Sequence, residues 1–296
     1  MSLVKSIGGK KVNFDFNKDF ISIFSDKIKV ADLKFINQTL KDLHPSDVAN
    51  LIENLTVDTR AKLIEIEEFN IDPDIFIEIN ESIQSEVLQL LSTDSIAKIL
   101  KRLESDNAIA ILENLEVDKK NAVLDKLPPK DRFLLEEGLS YPEDSAARIM
   151  QREFTAVPSN WSVGQTIDYL RENKDLPEEF SEIFIVDNDF KPIGTVPSSR
   201  VLRTSRDSKM NTIMREMPVL ISVNMDKEEV GYTFETYNLL SVGVINKDNK
   251  LVGMITADDV VTVVQEEAEE DALRLAGVGD EEITDSVFVK TKRRFN

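Results

Sequence analysis

Two residue types that commonly build metal and catalytic sites are scarce: cysteine is absent, and histidine occurs once, at His44. Without cysteine the chain forms neither disulfides nor thiolate metal sites, a composition typical of intracellular proteins. One histidine excludes a zinc site built from several imidazoles. No apolar run approaches the roughly 20 residues that a membrane span needs, and no secretory signal is visible. From these absences we expect the chain, as given, to be soluble.

The usual catalytic constellations are also lacking. The sequence contains no Ser/His/Asp set, no glycine-rich phosphate loop and no spacing typical of metal hydrolases. We therefore predict a protein that is not an enzyme.

Basic residues are too few to balance the acidic ones: 36 lysines and arginines stand against 55 aspartates and glutamates, a formal net charge of −19. Such an excess repels nucleic acid and anionic lipid, so we expect neither as a partner. The same excess attracts divalent cations. The hydrophobic content of 41% over 296 residues is enough for at least two globular domains.

A helical pattern runs from about residue 31 to residue 140, and it contains an internal repeat. Residues 51–58 (LIENLTVD) match residues 111–118 (ILENLEVD), and related units lie at 87–94 and 99–106. Each unit ends an apolar stripe with a polar turn whose aspartate we expect to cap the next helix. Short helices of this kind stack into a superhelical solenoid. His44, followed by Pro45, is interpreted as the start of a helix and not as a ligand.

Beyond residue 142 the pattern changes to alternating strands and helices, and a second repeat appears. Residues 183–196 (IFIVDNDFKPIGTV) align with residues 242–255 (VGVINKDNKLVGMI), with Gly194 and Gly253 at the same place. Each copy is predicted to be a strand, a polar turn and a second strand. Two such β-α-β-β-α units form a compact, pseudo-symmetric pair.

The stretch from 251 to 278 joins the last strand to an acidic helix. In that helix Glu266 with Glu270, and Glu267 with Asp271, are i,i+4 pairs of like charge, each unfavourable by roughly 0.2–0.5 kcal/mol. These anions also lie in the C-terminal half, where the helix dipole favours cations. Two interpretations remain open at this point, a solvated acidic face and a helix controlled by bound cations.

Four strings, in this order, resemble the cytosolic region of MgtE-type magnesium transport proteins: residues 43–49 (LHPSDVA), 141–150 (YPEDSAARIM), 251–261 (LVGMITADDVV) and 266–271 (EEAEED). The duplicated unit resembles a cystathionine-β-synthase (CBS) domain pair. The resemblance covers residues 35–290. It implies a multidomain fold, with an all-α superhelical N-terminal domain of helical-hairpin repeats, an α/β CBS domain pair and a C-terminal acidic helix.

The predicted boundaries follow from the repeats and the resemblance. They are an N-terminal arm of unknown role at 1–30, the helical domain at 31–142, CBS repeats at 143–206 and 207–264, and the connecting "plug" helix at 265–296. In the family this helix leads into the first membrane span, and residues 290–296 (KTKRRFN) form the basic cluster expected at a cytoplasmic membrane face. We therefore expect a fragment from the cytoplasmic side of the cell membrane, without its transmembrane pore domain.

The resemblance implies a Mg²⁺-sensing regulatory region that closes the pore when intracellular Mg²⁺ is high. Weak sites shared between domains suit a cation that binds few carboxylates and keeps its waters. The resemblance implies metal ligands at Asp106, Asp226, Glu228, Asp259, Glu267, Glu270 and Asp271, and also at Asp74, which falls near another acidic ligand of the family. This chain departs from the family at 106–110 (DNAIA), where two acids are missing, and at Asn238 and Thr262, where aspartate is common. Fewer acids imply fewer or weaker sites between domains.

CBS pairs are also known as adenine-nucleotide sensors that hold the ribose through a Ser/Thr-x-x-Asp motif. Thr256 and Asp259 keep that motif in the second copy, whereas the first copy has Arg200 in place of the aspartate. ATP is therefore a second candidate ligand. Two alternatives to Mg²⁺ sensing stay open, an adenine-nucleotide-sensing regulatory protein and an acidic helical-repeat scaffold without ion sensing. The resemblance further implies a homodimer formed through the CBS pair.

Overall fold

The computed structural model describes residues 16, 18–66, 72–177, 179–217 and 219–275. The chain divides into two compact units, with the boundary between Glu137 and Gly138. In the first unit the described residues form helices joined by short turns. These are α1 (Lys18–Lys29), α2 (Leu33–Asp42), α3 (Pro45–Glu53), α4 (Val57–Glu65), α5 (Asp74–Glu78), α6 (Glu81–Leu90), α7 (Thr93–Leu100), α8 (Ser105–Glu113), α9 (Val117–Leu124) and α10 (Pro129–Leu139).

In two of the four repeat units the cap of the following helix is a hydroxyl side chain, and in the other two the N-cap residues, Glu104 and Glu116, make no capping hydrogen bond with their side chains. Thr56 precedes α4, and its hydroxyl accepts a hydrogen bond from the backbone N–H of Thr59; Ser92 caps α7 in the same way. The prediction that the aspartates of these turns are the caps is therefore wrong. Asp58 and Asp94 lie two residues further on, in the first helical turn, where a carboxylate still interacts favourably with the helix dipole.

His44 begins α3, as predicted. Its Nδ1 accepts a hydrogen bond from the backbone N–H of Ser46, and Pro45 occupies the first helical position. The imidazole thus satisfies one of the amides that a helix start leaves unpaired.

Helix α1 occupies the segment to which the sequence assigned no role. Phe16, Phe20 and Phe24 follow one another at i,i+4 spacing, and their successive ring centroids lie 5.2 and 6.2 Å apart. Phe24 and Ile28 are buried, and α1 packs against α2 and α4. The arm is therefore a helix of the first unit from Lys18 onward, while residues 1–15 lie outside the described part of the chain.

Two cationic side chains, Arg60 and Lys119, form hydrogen bonds between helices of the first unit. Arg60 is 4% exposed, and its Nε and Nη2 each donate to a carboxylate oxygen of Glu86 at 3.0 Å. Its Nη1 donates to the carbonyl oxygen of Ile52 at 2.9 Å. The ammonium of Lys119 donates to three carbonyl oxygens at the C-terminal end of α6. Charge-assisted hydrogen bonds of this kind are among the stronger ones in proteins.

The second unit carries the two strand–helix copies. The first consists of β1 (Ala156–Pro158), α11 (Val163–Glu172), β2 (Glu182–Val186), β3 (Pro192–Pro197) and α12 (Ser198–Arg203). The second consists of α13 (Met210–Ile213), β4 (Ile221–Ser222), α14 (Lys227–Tyr237), β5 (Ser241–Ile245), β6 (Leu251–Thr256) and α15 (Ala257–Leu275).

The two copies share one topology. In each sheet the middle strand pairs parallel with the first strand and antiparallel with the third, in the orders β1-β2-β3 and β4-β5-β6. Gly194 pairs with Ile185 in the first copy, and Gly253 pairs with Val244 in the second. These correspondences confirm the repeat that the sequence alignment predicted.

Each hairpin is crossed by the segment that precedes the first strand of the other copy. Gln151, ahead of β1, exchanges backbone hydrogen bonds of 2.7 and 2.9 Å with Met254 in β6. Arg215, between α13 and β4, exchanges bonds of 3.0 and 2.8 Å with Thr195 in β3. This exchange joins the two copies into one folding unit.

At each crossing, the hairpin strand carries a glycine where the crossing backbone comes closest to it. A Cβ atom on Gly194 would lie 2.7 Å from the carbonyl oxygen of Arg215, and one on Gly253 would lie 2.8 Å from that of Gln151. Both distances are too short for a side chain, so the two crossings depend on these glycines.

Helix α15 continues from β6 without a break, and it passes the predicted boundary between residues 264 and 265. Val260 belongs to one core cluster with Val230 and Phe234 of α14, and Val263 is also buried. No helix within the described ranges is both long enough and apolar enough to cross a bilayer.

Candidate functional site

Asp226 and Glu228 begin α14. Asp226 is the N-cap, and its Oδ1 accepts a hydrogen bond from the backbone N–H of Glu228 at 2.9 Å. Both side chains are exposed. Asp226 also forms an isolated β-bridge with Ser145, which brings the strap of residues 144–147 beside the start of the helix. Asp226 therefore has a structural role in addition to its predicted role as a metal ligand.

Asp259 is in the first turn of α15, and its Oδ2 atom has several donors. It accepts hydrogen bonds from the backbone N–H of Thr256 at 3.1 Å and from the Thr256 hydroxyl, an arrangement related to a capping box. Gln151, from the crossing segment, donates its Nε2 to the same oxygen at 3.3 Å. The motif that the resemblance associates with ribose binding therefore also fixes the start of α15.

Glu267 lies two turns further along α15 and is held by a lysine. The ammonium of Lys227 is 3.5 Å from Glu267 Oε1 and also 3.5 Å from Asp144 Oδ1. The Lys227 and Glu267 side chains are each 21% exposed, so this pair is partly shielded from water. The sequence predicted Glu267 as a metal ligand; the cation beside it in this structure is a side chain.

Asp74, at the start of α5, lies in an electrostatically unfavourable place. Partial burial of its carboxyl raises the pKa above the ordinary value, and the carboxylates of Asp72 and Glu78 raise it further. Arg102 and His44 act in the opposite direction but do not cancel the shift. A carboxylate with a raised pKa gains more from a bound cation than one that is already paired.

Asp106 is the buried member of the predicted set. It lies in the first turn of α8 and is 6% exposed. Helix α8 packs against α5, the helix that Asp74 begins. Burial of a carboxylate is unfavourable unless it is paired, hydrogen-bonded or bound to a metal.

Those predicted ligands whose side chains the structure describes do not form one compact cluster. Within the described ranges, no three acidic or histidine side chains come together in a group that would hold a metal ion. Glu270 and Asp271 belong to α15, but their side chains lie outside the described part of the structure. The donor set that remains consists of carboxylates alone. It fits Mg²⁺, which binds through one or two carboxylates and keeps several waters.

Comparisons with known proteins agree with the domain order seen here. The profile of the MgtE intracellular N domain matches residues 43–144, and that of the CBS domain matches residues 146–207 and 210–266. The magnesium transporter MgtE of Enterococcus faecalis is 28% identical over 160 residues, which are 54% of this chain and 35% of that protein. The chain is a homologue of the MgtE magnesium transporters.

Two solved structures share its fold. One is the crystal structure of the soluble part of a magnesium transporter, with a TM-score of 0.72, 23% identity, and coverage of 84% of this chain and 98% of that one. The other is the cytosolic domain of the Mg²⁺ channel MgtE in complex with ATP, with a TM-score of 0.74, 22% identity, and coverage of 82% and 99%. The MgtE of Thermus thermophilus is 28% identical over 51% of this chain and 34% of its own length. The chain spans about a third of the length of the curated MgtE relatives it matches.

The departures from the MgtE pattern have local structural roles in this homologue. Asn238 ends α14 in the left-handed conformation, with φ of 51°, which asparagine tolerates better than most residues. Thr262 is exposed on α15, and its hydroxyl lies 3.5 Å from the carbonyl oxygen of Asp258. In the first CBS copy, Arg200 donates its Nη1 to the carbonyl oxygen of Ile213 at 2.8 Å, so the first copy uses this position differently from Asp259 in the second.

A cavity of about 230 Å³ lies between the two CBS copies. The first copy contributes Glu182 and Thr195, the connecting segment contributes Arg215, and the second copy contributes Asn238 and Ser241. The Ser241 hydroxyl oxygen is buried and makes no hydrogen bond in the described structure. Ser241 belongs to β5, and its register partner in β6 is Thr256. The cavity therefore borders the strand next to the Thr256 end of β6.

Two residues that contact candidate ligands, Lys227 and Gln151, were not predicted from the sequence. Lys227 stands between two carboxylates and Gln151 reaches Asp259, but they come from a helix start and from a crossing segment far from α15 in sequence. A lysine directly after an N-cap aspartate was a usable signal, because a cation is unfavourable at a helix N-terminus. No local signal predicts the contact of Gln151, which depends on the exchange between the copies.

Proposed function

We propose that this chain is the cytosolic regulatory region of an MgtE-type magnesium transporter and that it senses intracellular Mg²⁺. Acidic residues of the helical domain, the CBS pair and the connecting helix bind the ion when it is plentiful. The compact state that results holds the transmembrane pore closed. When Mg²⁺ falls, repulsion between like charges separates the acidic surfaces and the pore opens. The chain's role is regulatory and not catalytic.

The observation that carries the proposal is the continuity of α15. It starts in the core of the second CBS copy, at Val260 and Val263, and runs to Leu275 through a segment of repeated acids. A helix anchored in this way transmits any movement of the CBS pair along its length. The acidic half of α15 can approach other negative surfaces only when cations lie between the like charges.

Several weak sites are needed to operate such a switch. Moving a two-state element from 1:99 to 99:1 takes about 5.5 kcal/mol. One site at tenfold its dissociation constant contributes only about 1.4 kcal/mol. About four sites acting together therefore suffice, and their joint occupancy makes the response steep.

X-ray scattering of the full chain tests the proposal. We expect a smaller radius of gyration in millimolar Mg²⁺ than in chelator, at an ionic strength held constant with NaCl so that simple screening is excluded. The double variant Asp226→Asn/Glu228→Gln should contract less, because two acids are lost while asparagine keeps the cap of α14.

The matched control is Asp189→Asn/Asp248→Asn, which removes the same charge from two exposed hairpin turns and should respond as the wild type does. Equal dimensions of the wild-type chain in chelator and in Mg²⁺ would refute ion sensing. That outcome would leave the scaffold alternative in place.

We also propose that the chain is a homodimer through the CBS pair. Val261 and Val264, on one face of α15, are 55% and 52% exposed, and Tyr232 on α14 is 70% exposed. Gly231 lets the two helices approach, since a Cβ there would lie 3.2 Å from Val264 Cγ2. An apolar face on a chain this acidic favours association with a second copy. The mass from the same scattering data should be that of a dimer, and Val261→Glu/Val264→Glu should reduce it to that of a monomer.

Binding of an adenine nucleotide is a second candidate function. It is supported by the cavity between the CBS copies, by the unpartnered Ser241 hydroxyl in its wall and by the ATP complex of the related cytosolic domain. Arg215 is the cation that would face phosphates, while Glu182 and Glu216 in the same wall oppose them.

A thermal shift with ATP separates this candidate from Mg²⁺ sensing. ATP in chelator should raise the unfolding midpoint of the wild type and of the control Arg203→Gln, but not that of Arg215→Gln. Absence of a shift in all three proteins would reject nucleotide binding and leave the Mg²⁺ proposal untouched.

A further inference from the structure

Lys227 stands where helix electrostatics disfavour a cation. It is the first residue of α14, directly after the N-cap Asp226. The N-terminus of a helix carries a partial positive charge, so a lysine there is unfavourable on its own. Carboxylates from other elements that lie near the ammonium add to the acids of the first turn of α14 in offsetting this cost.

Two carboxylates from other elements meet the Lys227 ammonium, those of Asp144 and Glu267, each at 3.5 Å. Asp144 is fixed by the backbone: the N–H of Lys227 donates to its carbonyl oxygen at 2.9 Å, and the N–H of Ala146 donates to Met225 at 2.7 Å. The strap 144–147 therefore brings one acid to the lysine, and α15 brings the other.

The position of Glu267 on α15 explains what this contact does. Val260, Val263 and Glu267 are spaced by three and four residues, so they share one face of the helix. The two valines are buried at 5% and 3% exposure, and Val260 belongs to a core cluster with residues of α14. The ion pair thus continues the apolar contact between α14 and α15 for one further turn, at the place where the acidic segment begins.

We infer that Lys227 is a tethered cation that takes the place of a divalent ion between Asp144 and Glu267 and holds the middle of α15 to the CBS pair without metal. The inference rests on the proposed function, because it states which part of the switch is independent of Mg²⁺. Lys227 is a positioning residue. Metal control is then left to the part of α15 beyond Glu267 and to the helical domain.

Hydrogen exchange of the α15 amides in the full chain tests this inference. In chelator, the amides of the turn of α15 that contains Glu267 (residues 264–268) should exchange about fivefold faster in Lys227→Gln than in the wild type, the effect expected for loss of a partly shielded ion pair. Mg²⁺ should restore protection in Lys227→Gln, because the partly shielded Glu267 then lacks a cation and the exposed Asp144 offers the ion a second carboxylate. Wild-type protection of the same amides should not depend on Mg²⁺, and Lys227→Arg should behave as the wild type.

Two further variants make the result decisive. Lys247→Gln removes the same charge from an exposed turn and should change nothing, whereas Glu267→Gln should expose α15 without rescue by Mg²⁺. If a solvated lysine merely opposed the dipole of α14, Lys227→Gln would leave α15 unchanged, and that result overturns the inference. Loss of wild-type protection in chelator also overturns it. Scattering on the same samples reports the Mg²⁺ response of the whole chain, so failure of the proposed function is seen separately.

Discussion

The helical unit and the CBS unit treat their candidate acids differently. In the CBS unit Asp226 and Asp259 cap helices, and Glu267 is paired with Lys227. In the helical unit Asp74 has a raised pKa because of burial and neighbouring carboxylates, and Asp106 is buried. A divalent ion at a capping carboxylate competes with hydrogen bonds that the fold already uses. An ion at Asp74 instead relieves an unfavourable charge. We therefore expect the helical unit to gain more from each bound ion.

The largest effect concerns the internal cation of the helical unit. Arg60→Leu removes both hydrogen bonds to Glu86 and the one to the Ile52 carbonyl, and leaves Glu86 without its partner. We expect a loss of about 2–4 kcal/mol in the free energy of unfolding, followed by far-UV circular dichroism in denaturant.

The added change Glu86→Leu should recover part of that loss, because it removes the stranded carboxylate. Trp161, the single tryptophan, lies in the CBS unit and reports that unit separately by fluorescence. A change of less than about 1 kcal/mol in the free energy of unfolding would contradict the proposed difference between the two units. It would mean that the stability of the helical unit does not depend on its own cations.

The capping role of the CBS acids predicts an intermediate effect. Asp259→Ala removes the acceptor of the Thr256 and Gln151 hydrogen bonds and should cost about 1–2 kcal/mol in chelator, measured through Trp161 fluorescence. Asp226→Ala should cost about 1 kcal/mol for the same reason. The control Asp248→Ala, in an exposed turn, should stay within about 0.5 kcal/mol of the wild type. Wild-type stability of both capping variants in chelator would mean that these acids serve ligand binding alone.

The sequence predicted those parts of the fold that have local periodic signals. The helical repeats, the His44 helix start and the two aligned hairpins all follow from spacing within a few residues. The i,i+4 spacing of Phe16, Phe20 and Phe24 gave the same kind of signal for α1, but the alternation of neighbouring residues obscured it.

The contacts that lie beyond such signals come from the exchange between the CBS copies. The contact of Gln151 with Asp259 and that of Asp144 with Lys227 join residues far apart in sequence. The crossing of β6 at Gln151 creates the first contact, and the strap 144–147 beside the start of α14 creates the second. The sequence therefore indicated which acids to consider, while the cations and amides beside them depend on tertiary structure.

The smallest predicted effect is the sharpest test of the difference between the units. The pKa of Asp74 is raised above its ordinary value of 3.8, so ionisation costs stability once the pH rises through the folded-state pKa. Asp74→Asn should therefore stabilise the helical unit at pH 7 in chelator, by less than about 0.5 kcal/mol, because the carboxyl is only partly buried and water screens its charge. The gain should vanish below pH 3.8, where the carboxyl is protonated in both states. Mg²⁺ at pH 7 should reverse the sign of the stability change, so that Asp74→Asn becomes less stable than the wild type, since only the wild type offers the ion a carboxylate.

The control Asp118→Asn, in the first turn of α9, should lose a little stability instead, because the carboxylate of Asp118 interacts favourably with the helix dipole. Circular dichroism melts at the two pH values with and without Mg²⁺ measure all of these differences, and a destabilising Asp74→Asn in chelator would place Asp74 among the structural acids.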